Sequence, residues 1–267
     1  MDETLVRQLL EAGVHFGHQT KRWNPKMKRF IFGSRAGIYL IDLEQTAQCL
    51  KTACDFLERI TSQGQMVLYV GTKKQAKPIL EAEAQRAGMP FVINRWLGGT
   101  LTNFQTIKSN IDKLRTLRAQ QADGFFERVS KKDAKRLTRE MERLEEHVGG
   151  LVQLDRLPGC LFVIDTKRED IAVREAKRLG IPIVAVCDTN TDPDLIAYPI
   201  PGNDDAIRAI KLIVSQITES LLAGRRRLEV GAEPIAPVAA SADEGSVAQD
   251  AVASPAPHAD SASPARS

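Results

Sequence analysis

Short apolar runs separated by segments of helical periodicity constrain this chain more than any other feature. Five runs are bounded by turn residues and are strand-like in length: 37–41 (GIYLI), 66–70 (MVLYV), 90–93 (PFVI), 161–165 (LFVID) and 181–188 (IPIVAVCD). Between them, 43–62 places Leu43, Ala47, Leu50, Cys54 and Leu57 at three- and four-residue steps, and 75–87, 171–179 and 206–222 behave similarly. Unbroken apolar strands alternate with amphipathic helices when a parallel sheet is covered on both faces. The expected class is therefore α/β, a doubly wound and mainly parallel sheet. Gly71, Gly88-Met89-Pro90 and Gly180-Ile181-Pro182 mark element ends, a helix-capping glycine leading into a strand in the last two.

The segment 104–147 breaks the alternation. Phe104, Ile107, Ile111, Leu114 and Leu117 fall at helical spacing, and so do Leu137, Met141, Leu144 and Val148 after a turn near Gly124. Ser130 followed by Asp133 reads as a capping box. We expect an inserted antiparallel coiled-coil helical hairpin over 104–148, flanked by an α/β domain formed from 1–103 and 149–228. Its polar faces carry eleven Lys/Arg against eight acids, which a solvated, salt-bridged surface explains as well as an RNA contact does. After Arg225-Arg226-Arg227 the composition shifts: residues 231–267 hold 12 Ala, 6 Ser and 5 Pro and no aromatic residue. Too little apolar surface is available there to offset ordering entropy, so 229–267 is expected to be a disordered acidic tail.

The net charge of +3 conceals an asymmetry, because six acids lie from Glu229 onward with one base, leaving 36 basic and 28 acidic groups before it. Between Ala12 and Ile41 there is no acid and there are six Lys/Arg. A basic body with an acid-free stretch points to a polyanionic partner. No apolar stretch is long enough for a membrane span, and MDETLVRQLL lacks the pattern of a secretory or transit leader. Cys49, Cys54, Cys160 and Cys187 form no C-x-x-C pair and read as reduced thiols of a cytosolic protein.

Enzyme motifs do not fit. Gly71-Thr72-Lys73-Lys74 resembles half a phosphate loop, but neither G-x-x-x-x-G-K-[ST] nor G-x-G-x-x-G is present. Asp188-Thr189-Asn190-Thr191-Asp192 opens like a calcium loop and then places Pro193 and Pro199 where Gly and Glu are required. A phosphosugar- or nucleotide-binding enzyme would need the missing glycine motif. A protein adaptor using the hairpin would need a wider apolar face than the hairpin offers.

The informative stretch is GVHFGHQTKRWNPKMKRFIFGSR, residues 13–35. Bases (Lys21, Arg22, Lys26, Lys28, Arg29, Arg35) alternate with planar groups (His15, Phe16, His18, Trp23, Phe30, Phe32), a pairing suited to phosphates and unpaired bases. Asn24-Pro25 forms a turn that fixes Trp23 and Lys26. Lys21, Arg22, Trp23, Asn24, Lys26 and Lys28 are assigned to RNA, with Lys73 and Lys74 as further phosphate partners, whereas Phe16, Phe30 and Phe32 are expected in the core. A second cluster, NRWLGGTLTN at 94–103, follows a strand at the sheet's carboxyl edge, where such folds place ligands. It reads equally as an RNA-contacting loop and as a tight turn over Trp96. Finally, His18, Asp188 and Asp205 converge if the strand ends do, and would suit zinc, or magnesium with waters. Against that, Asp205 could cap the following helix and His18 could bond backbone. No other cofactor is expected.

GVHFGHQTKRWNPKM, VGTKKQA, RWLGGTLTNF, LFVID, GIPIVAVCDTNTDPD and IPGNDDAIRAI, in this order and spacing, resemble the family of the second protein of the bacterial small ribosomal subunit. The resemblance covers about residues 4–225. It implies a cytoplasmic, non-catalytic ribosomal protein with a protruding coiled-coil hairpin, docked on 16S rRNA at the head–body junction on the solvent side. It also implies late assembly and other ribosomal proteins as partners, among them the large OB-repeat protein that captures mRNA. With it, Arg95, Thr100 and Asn103 are expected to face RNA while Trp96 holds their loop. Leu157-Pro158-Gly159-Cys160 departs from the family, which usually has Asp after the proline; this puts one local loop contact in doubt.

Overall fold

The structure, a computed structural model, describes residues 3–231. In chain order its elements are α1 (Glu3–Glu11), β1 (Phe16–Gln19), β2 (Ile31–Arg35), β3 (Ile38–Ile41), α2 (Leu43–Ser62), β4 (Val67–Val70), α3 (Lys77–Ala87), β5 (Phe91–Val92), α4 (Phe104–Ala122), α5 (Phe125–Arg128), α6 (Lys131–Val148), β6 (Cys160–Ile164), α7 (Asp170–Arg178), β7 (Ile183–Cys187), β8 (Tyr198–Pro201) and α8 (Ile207–Val230).

The main sheet has the order β5-β4-β6-β7-β8 and is parallel throughout. Every residue of β4, β6 and β7 is buried, which is why these strands read as unbroken apolar runs. Side chains alternate between two cores. Val67, Tyr69, Phe162, Ile164, Val184 and Val186 meet α2, α3 and α8 on one face. On the other, Leu68, Val70, Leu161, Val163, Ala185 and Cys187 meet α4, α7 and Trp96. The doubly wound expectation holds.

Two expectations change. The GIYLI run is not a strand of this sheet: as β3 it is central in a separate antiparallel sheet of order β1-β3-β2. An apolar run reports burial but not its pairing partner. The helix expected over 206–222 extends to Val230, so the first residues of the tail expected from 229 are helical, and from residue 232 that expectation lies outside the described residues. Two arginines of the triple-Arg run are tied to neighbouring elements rather than marking a break. Arg225 donates to the Ala87 carbonyl (2.5 Å) and Arg227 pairs with Glu58 (2.8 Å).

Helices α4 and α6 pack on one another beside the sheet. Ile107, Ile111, Leu114 and Leu117 are buried, and the pairs Lys113–Glu140 and Arg118–Glu145 cross between the helices. Ser130 caps α6, accepting the Asp133 N–H (3.2 Å) and donating to its carboxylate (2.7 Å). All four cysteines are free thiols. Among the described residues no helix is long and apolar enough to cross a membrane.

Candidate nucleic-acid interface

From β4 the chain crosses through α3 to β5 on one side, then returns to β6 on the other, so the topological switch point lies between β4 and β6. Open α/β sheets place ligands in that crevice. Here the chain's own side chains fill it. Thr72 donates from its N–H (2.8 Å) and hydroxyl (2.5 Å) to the buried Glu169 carboxylate, and Arg168 Nε donates to the Thr72 hydroxyl (2.7 Å). Burial pushes the Glu169 carboxyl up, against those hydrogen bonds. Lys73, expected to meet phosphate, instead lies half-buried with its ammonium 2.6 Å from both Asp204 and Asp205 and 3.6 Å from Asp165. That is a correction: internal carboxylates already neutralise it. Its neighbour Lys74 is exposed and makes no ion pair among the described residues.

The N-terminal segment is laced over the carboxyl ends of β7 and β8. Gly17 allows this, since a Cβ there would lie 2.5 Å from Thr189 Cγ2. The His18 N–H donates to the Thr189 hydroxyl (2.9 Å), and the Asn24 N–H donates to the Thr189 carbonyl (2.8 Å). Asn24 Oδ1 accepts the Lys26 N–H (3.0 Å), capping the 3-10 turn Pro25–Phe30. Lys26 is exposed but paired with Asp192 (2.8 Å) and Asp194 (3.0 Å). Lys21, Arg22 and Lys28 are exposed with no ion pair among the described residues. Trp23 is half-buried, its ring 5.1 Å from that of Tyr39.

Of the three phenylalanines expected in the core, only Phe30 is buried. Phe32 is 81% exposed and Phe16 48%, with Leu10 and Ile38 also exposed. Among the described residues no element covers these side chains of the small antiparallel sheet, so they reach solvent.

In the 94–103 loop Trp96 is buried, as expected. Its anchor is Glu175 of α7, which no motif in the sequence marks. Glu175 Oε1 accepts from Trp96 Nε1 (3.1 Å) and the Gly99 N–H (2.8 Å). Its Oε2 accepts the Leu101 N–H, the Thr102 N–H and the Thr102 hydroxyl, each at 3.0 Å. Burial raises this carboxyl's pKa, but the hydrogen bonds outweigh burial and hold it below its ordinary value. Thr100 is corrected: it is 3% exposed and its hydroxyl donates to the Leu97 carbonyl (2.6 Å), so it offers nothing to a surface ligand. Arg95 and Asn103 are exposed; Arg95 is unpaired among the described residues, and Asn103 Oδ1 accepts from the Thr106 hydroxyl (3.0 Å).

Three donors converge where the strand ends meet β1: His18, Asp188 and Asp204 offer atoms all within 4.8 Å of one another. His18 Nδ1 lies 3.0 Å from Asp188, a hydrogen bond that raises the imidazole pKa. Asp204, not the Asp205 read from the sequence, is the buried member. Asp205 is 54% exposed, with its carboxylate 3.7 Å from His18 Nε2. Burial and the nearby Asp188 and Asp165 push Asp204 up to about 7, and its Oδ2 is buried with no hydrogen-bond partner. Asp205 does not cap α8, which has no side-chain cap; Asn203 Oδ1 instead holds the turn before the helix, accepting the Asp205 (2.8 Å) and Ala206 (3.1 Å) N–H groups.

The family described as ribosomal protein S2 matches residues 9–224 of this chain. The chain is 58% identical over 224 residues to small ribosomal subunit protein uS2 of Syntrophobacter fumaroxidans, covering 84% of this chain and 82% of that protein. It is 55% identical over 222 residues to uS2 of Sorangium cellulosum, covering 83% and 80%. With uS2 of Coprothermobacter proteolyticus the identity is 54% over 220 residues, covering 82% of each.

Proposed function

The chain belongs to the ribosomal protein S2 family, a structural and non-catalytic constituent of the small ribosomal subunit, and from that premise we propose that its carboxyl edge is a 16S rRNA surface. One observation carries the reading. Lys21, Arg22, Lys74 and Arg95 flank the strand ends with no ion pair among the described residues, while internal acids claim Lys73 and Lys26. Unpaired surface cations beside a half-exposed Trp23 suit phosphates and unstacked bases. In filter binding to small-subunit RNA, each lost phosphate contact flattens the log–log salt slope by roughly 0.7–0.9. The joint change of Lys21, Arg22 and Lys28 to Ala should weaken binding and flatten that slope. Unaltered affinity and slope in a folded variant would refute the assignment.

Anchoring of the large OB-repeat ribosomal protein is assigned to the uncovered face of the small sheet. Phe16, Phe32 and Leu10 are exposed there, and Leu10, Phe32, Leu40 and Leu43 border a groove of about 390 Å3. Contiguous exposed apolar surface marks interaction sites. Phe32→Ser should lower retention of that protein on small subunits without changing rRNA binding; equal retention would exclude this face.

His18, Asp188 and Asp204 fit a zinc ion, or a magnesium ion that keeps waters. The fit rests on the orphaned Asp204 Oδ2 among three converging donors. Such an ion would tie β1 to the ends of β7 and β8. Titrating the full chain with zinc in a calorimeter, beside Asp204→Asn, tests the site; identical heats would exclude it.

A further inference from the structure

Two adjoining hollows at the carboxyl ends of β6 and β7 are not explained by the contacts described above. One, of about 440 Å3, is bordered by Lys21, Arg22, Trp23, Lys167 and Asn190. The other, of about 410 Å3, is bordered by Asn24, Thr166, Val173, Leu195 and Ile196, and again by Lys167 and Asn190. The two shared residues stand at the junction. Each hollow is of the size that takes a small ligand.

Their chemistry differs in a way that matches the parts of one nucleotide. The first side gathers three cations, Lys21, Arg22 and Lys167, none ion-paired among the described residues, and one wall is the Trp23 ring. The second has an apolar floor of Val173, Leu195 and Ile196. At the junction Asn190 Oδ1 is buried without a hydrogen-bond partner. A buried, unpartnered amide oxygen is costly in a native protein and calls for a donor. Asp170 and Asp192, also on the second side, are engaged with Arg174 and Lys26. With its acids and Arg174 so paired, the second side offers a phosphate no free cation but the shared Lys167, which leaves the phosphate to the first side.

The walls are also pre-formed. The Asn24 N–H to Thr189 carbonyl bond and the Lys26–Asp192 pair join the two loops. Behind them Asp165 holds a left-handed backbone (φ 65°), and its carboxylate accepts the Arg168 N–H (3.0 Å). That conformation is strained for a residue with a side chain. In the turn it makes, Thr166 is buried against the hollow while Lys167 stands exposed.

We infer that this double hollow takes a single unpaired nucleotide of the bound RNA. The inference rests on the rRNA-surface reading and deepens it. The phosphate lies among Lys21, Arg22 and Lys167, and the base enters the junction so that one of its N–H groups donates to Asn190 Oδ1. A duplex cannot do this, because its bases are stacked and paired.

The test uses the full chain with an unstructured single-stranded oligoribonucleotide, the perfect duplex of the same sequence, and 16S rRNA. Tryptophan emission reports the site, since Trp23 borders it and Trp96 is buried. The single strand should quench emission more than the duplex does, and Trp23→Phe should abolish that difference. Asn190→Leu and Lys167→Ala should each weaken single-strand binding roughly tenfold, the scale of one lost base contact, with duplex binding unchanged. Asn190→Asp, which keeps the acceptor and the shape, should retain the quench and serves if the leucine variant fails to fold. Suppose 16S rRNA and the single strand bind Asn190→Leu and Lys167→Ala as they bind the parent, while Lys21→Ala and Arg22→Ala weaken both. The nucleotide hollow is then overturned and the rRNA surface stands. If the parent binds none of the three RNAs, both fail.

Discussion

Glu175→Gln isolates what positions the 94–103 loop. The carboxylate accepts two donors on Oε1 and three on Oε2. Glutamine has nearly the same shape, so its NH2 group must turn toward one set or the other. Two or three donors then face a donor, and each buried donor left unsatisfied costs about 1–3 kcal/mol. The bonds that remain also weaken, from about 1.5–3 kcal/mol with an ionised partner to about 0.5–1.5 kcal/mol with a neutral one. A net loss of roughly 3–5 kcal/mol is expected, large for one substitution that leaves volume unchanged. The pH dependence has a definite sign. Because the folded-state pKa lies below the ordinary 4.5, the stabilisation is complete above that value and is lost as pH falls through the folded one. Urea unfolding of both proteins between about pH 7 and about pH 3.5 should therefore give a difference that is largest at neutral pH and shrinks on acidification. A loss below about 1 kcal/mol at neutral pH, or a difference indifferent to pH, would refute the anchoring role.

Three further outcomes follow from the packing and the charges. Gly224→Ala places a methyl against the Thr61 hydroxyl and the Glu58 carbonyl oxygen where α2 and α8 meet; overpacking of this kind costs about 1–3 kcal/mol, and an unchanged melting temperature would contradict the contact. Thr218→Val leaves the Tyr69 hydroxyl, 2.9 Å from the Thr218 hydroxyl, buried without a partner at a cost of about 1–3 kcal/mol, measurable by urea unfolding, whereas the Tyr69→Phe, Thr218→Val double variant should recover part of it. Lys26→Ala should change the salt slope of RNA binding less than Lys21→Ala, since Asp192 and Asp194 already neutralise Lys26; equal changes would show that those pairs open on binding.

The sheet was legible because β4, β6 and β7 are buried on both faces, so their composition carries the signal without help from neighbours. The cap at Ser130 was legible for a related reason, as its partner Asp133 is three residues away. What sequence did not reveal depends on distant partners. Lys73 looks like any loop lysine after a strand until Asp204 and Asp205, more than a hundred residues on, are folded beside it. Asp204 and Asp205 are adjacent and chemically identical, and only packing decides which is buried. Glu175 sits in a charged stretch, Arg174 to Arg178, that reads as a solvated helix face. Phe16 and Phe32 are as apolar as core residues, and they are exposed because no layer of the described residues covers the small sheet there.

The filled switch point also bears on why an α/β fold of this kind serves as a scaffold. In such folds the crevice between the diverging strands offers backbone N–H groups and helix ends to a phosphate or a cofactor. Here the Thr72 N–H, which would point at such a ligand, is held by Glu169. The lysine that would pair with a phosphate is held by Asp204 and Asp205. An anion entering would have to displace these carboxylates and leave Glu169 and Asp204 buried and unpaired, a large penalty. Cations that remain free stand farther out, on the segment that runs from Gly17 across the strand ends and on the loops after β4, β5 and β6. On the rRNA-surface reading proposed above, recognition falls not in a crevice that would enclose a small anion but on a rim that suits an extended polyanion. That displacement predicts that inorganic phosphate should compete weakly with rRNA, and only in proportion to its ionic strength. Competition at matched ionic strength, phosphate against chloride, measures it; a specific phosphate effect would show that the crevice opens.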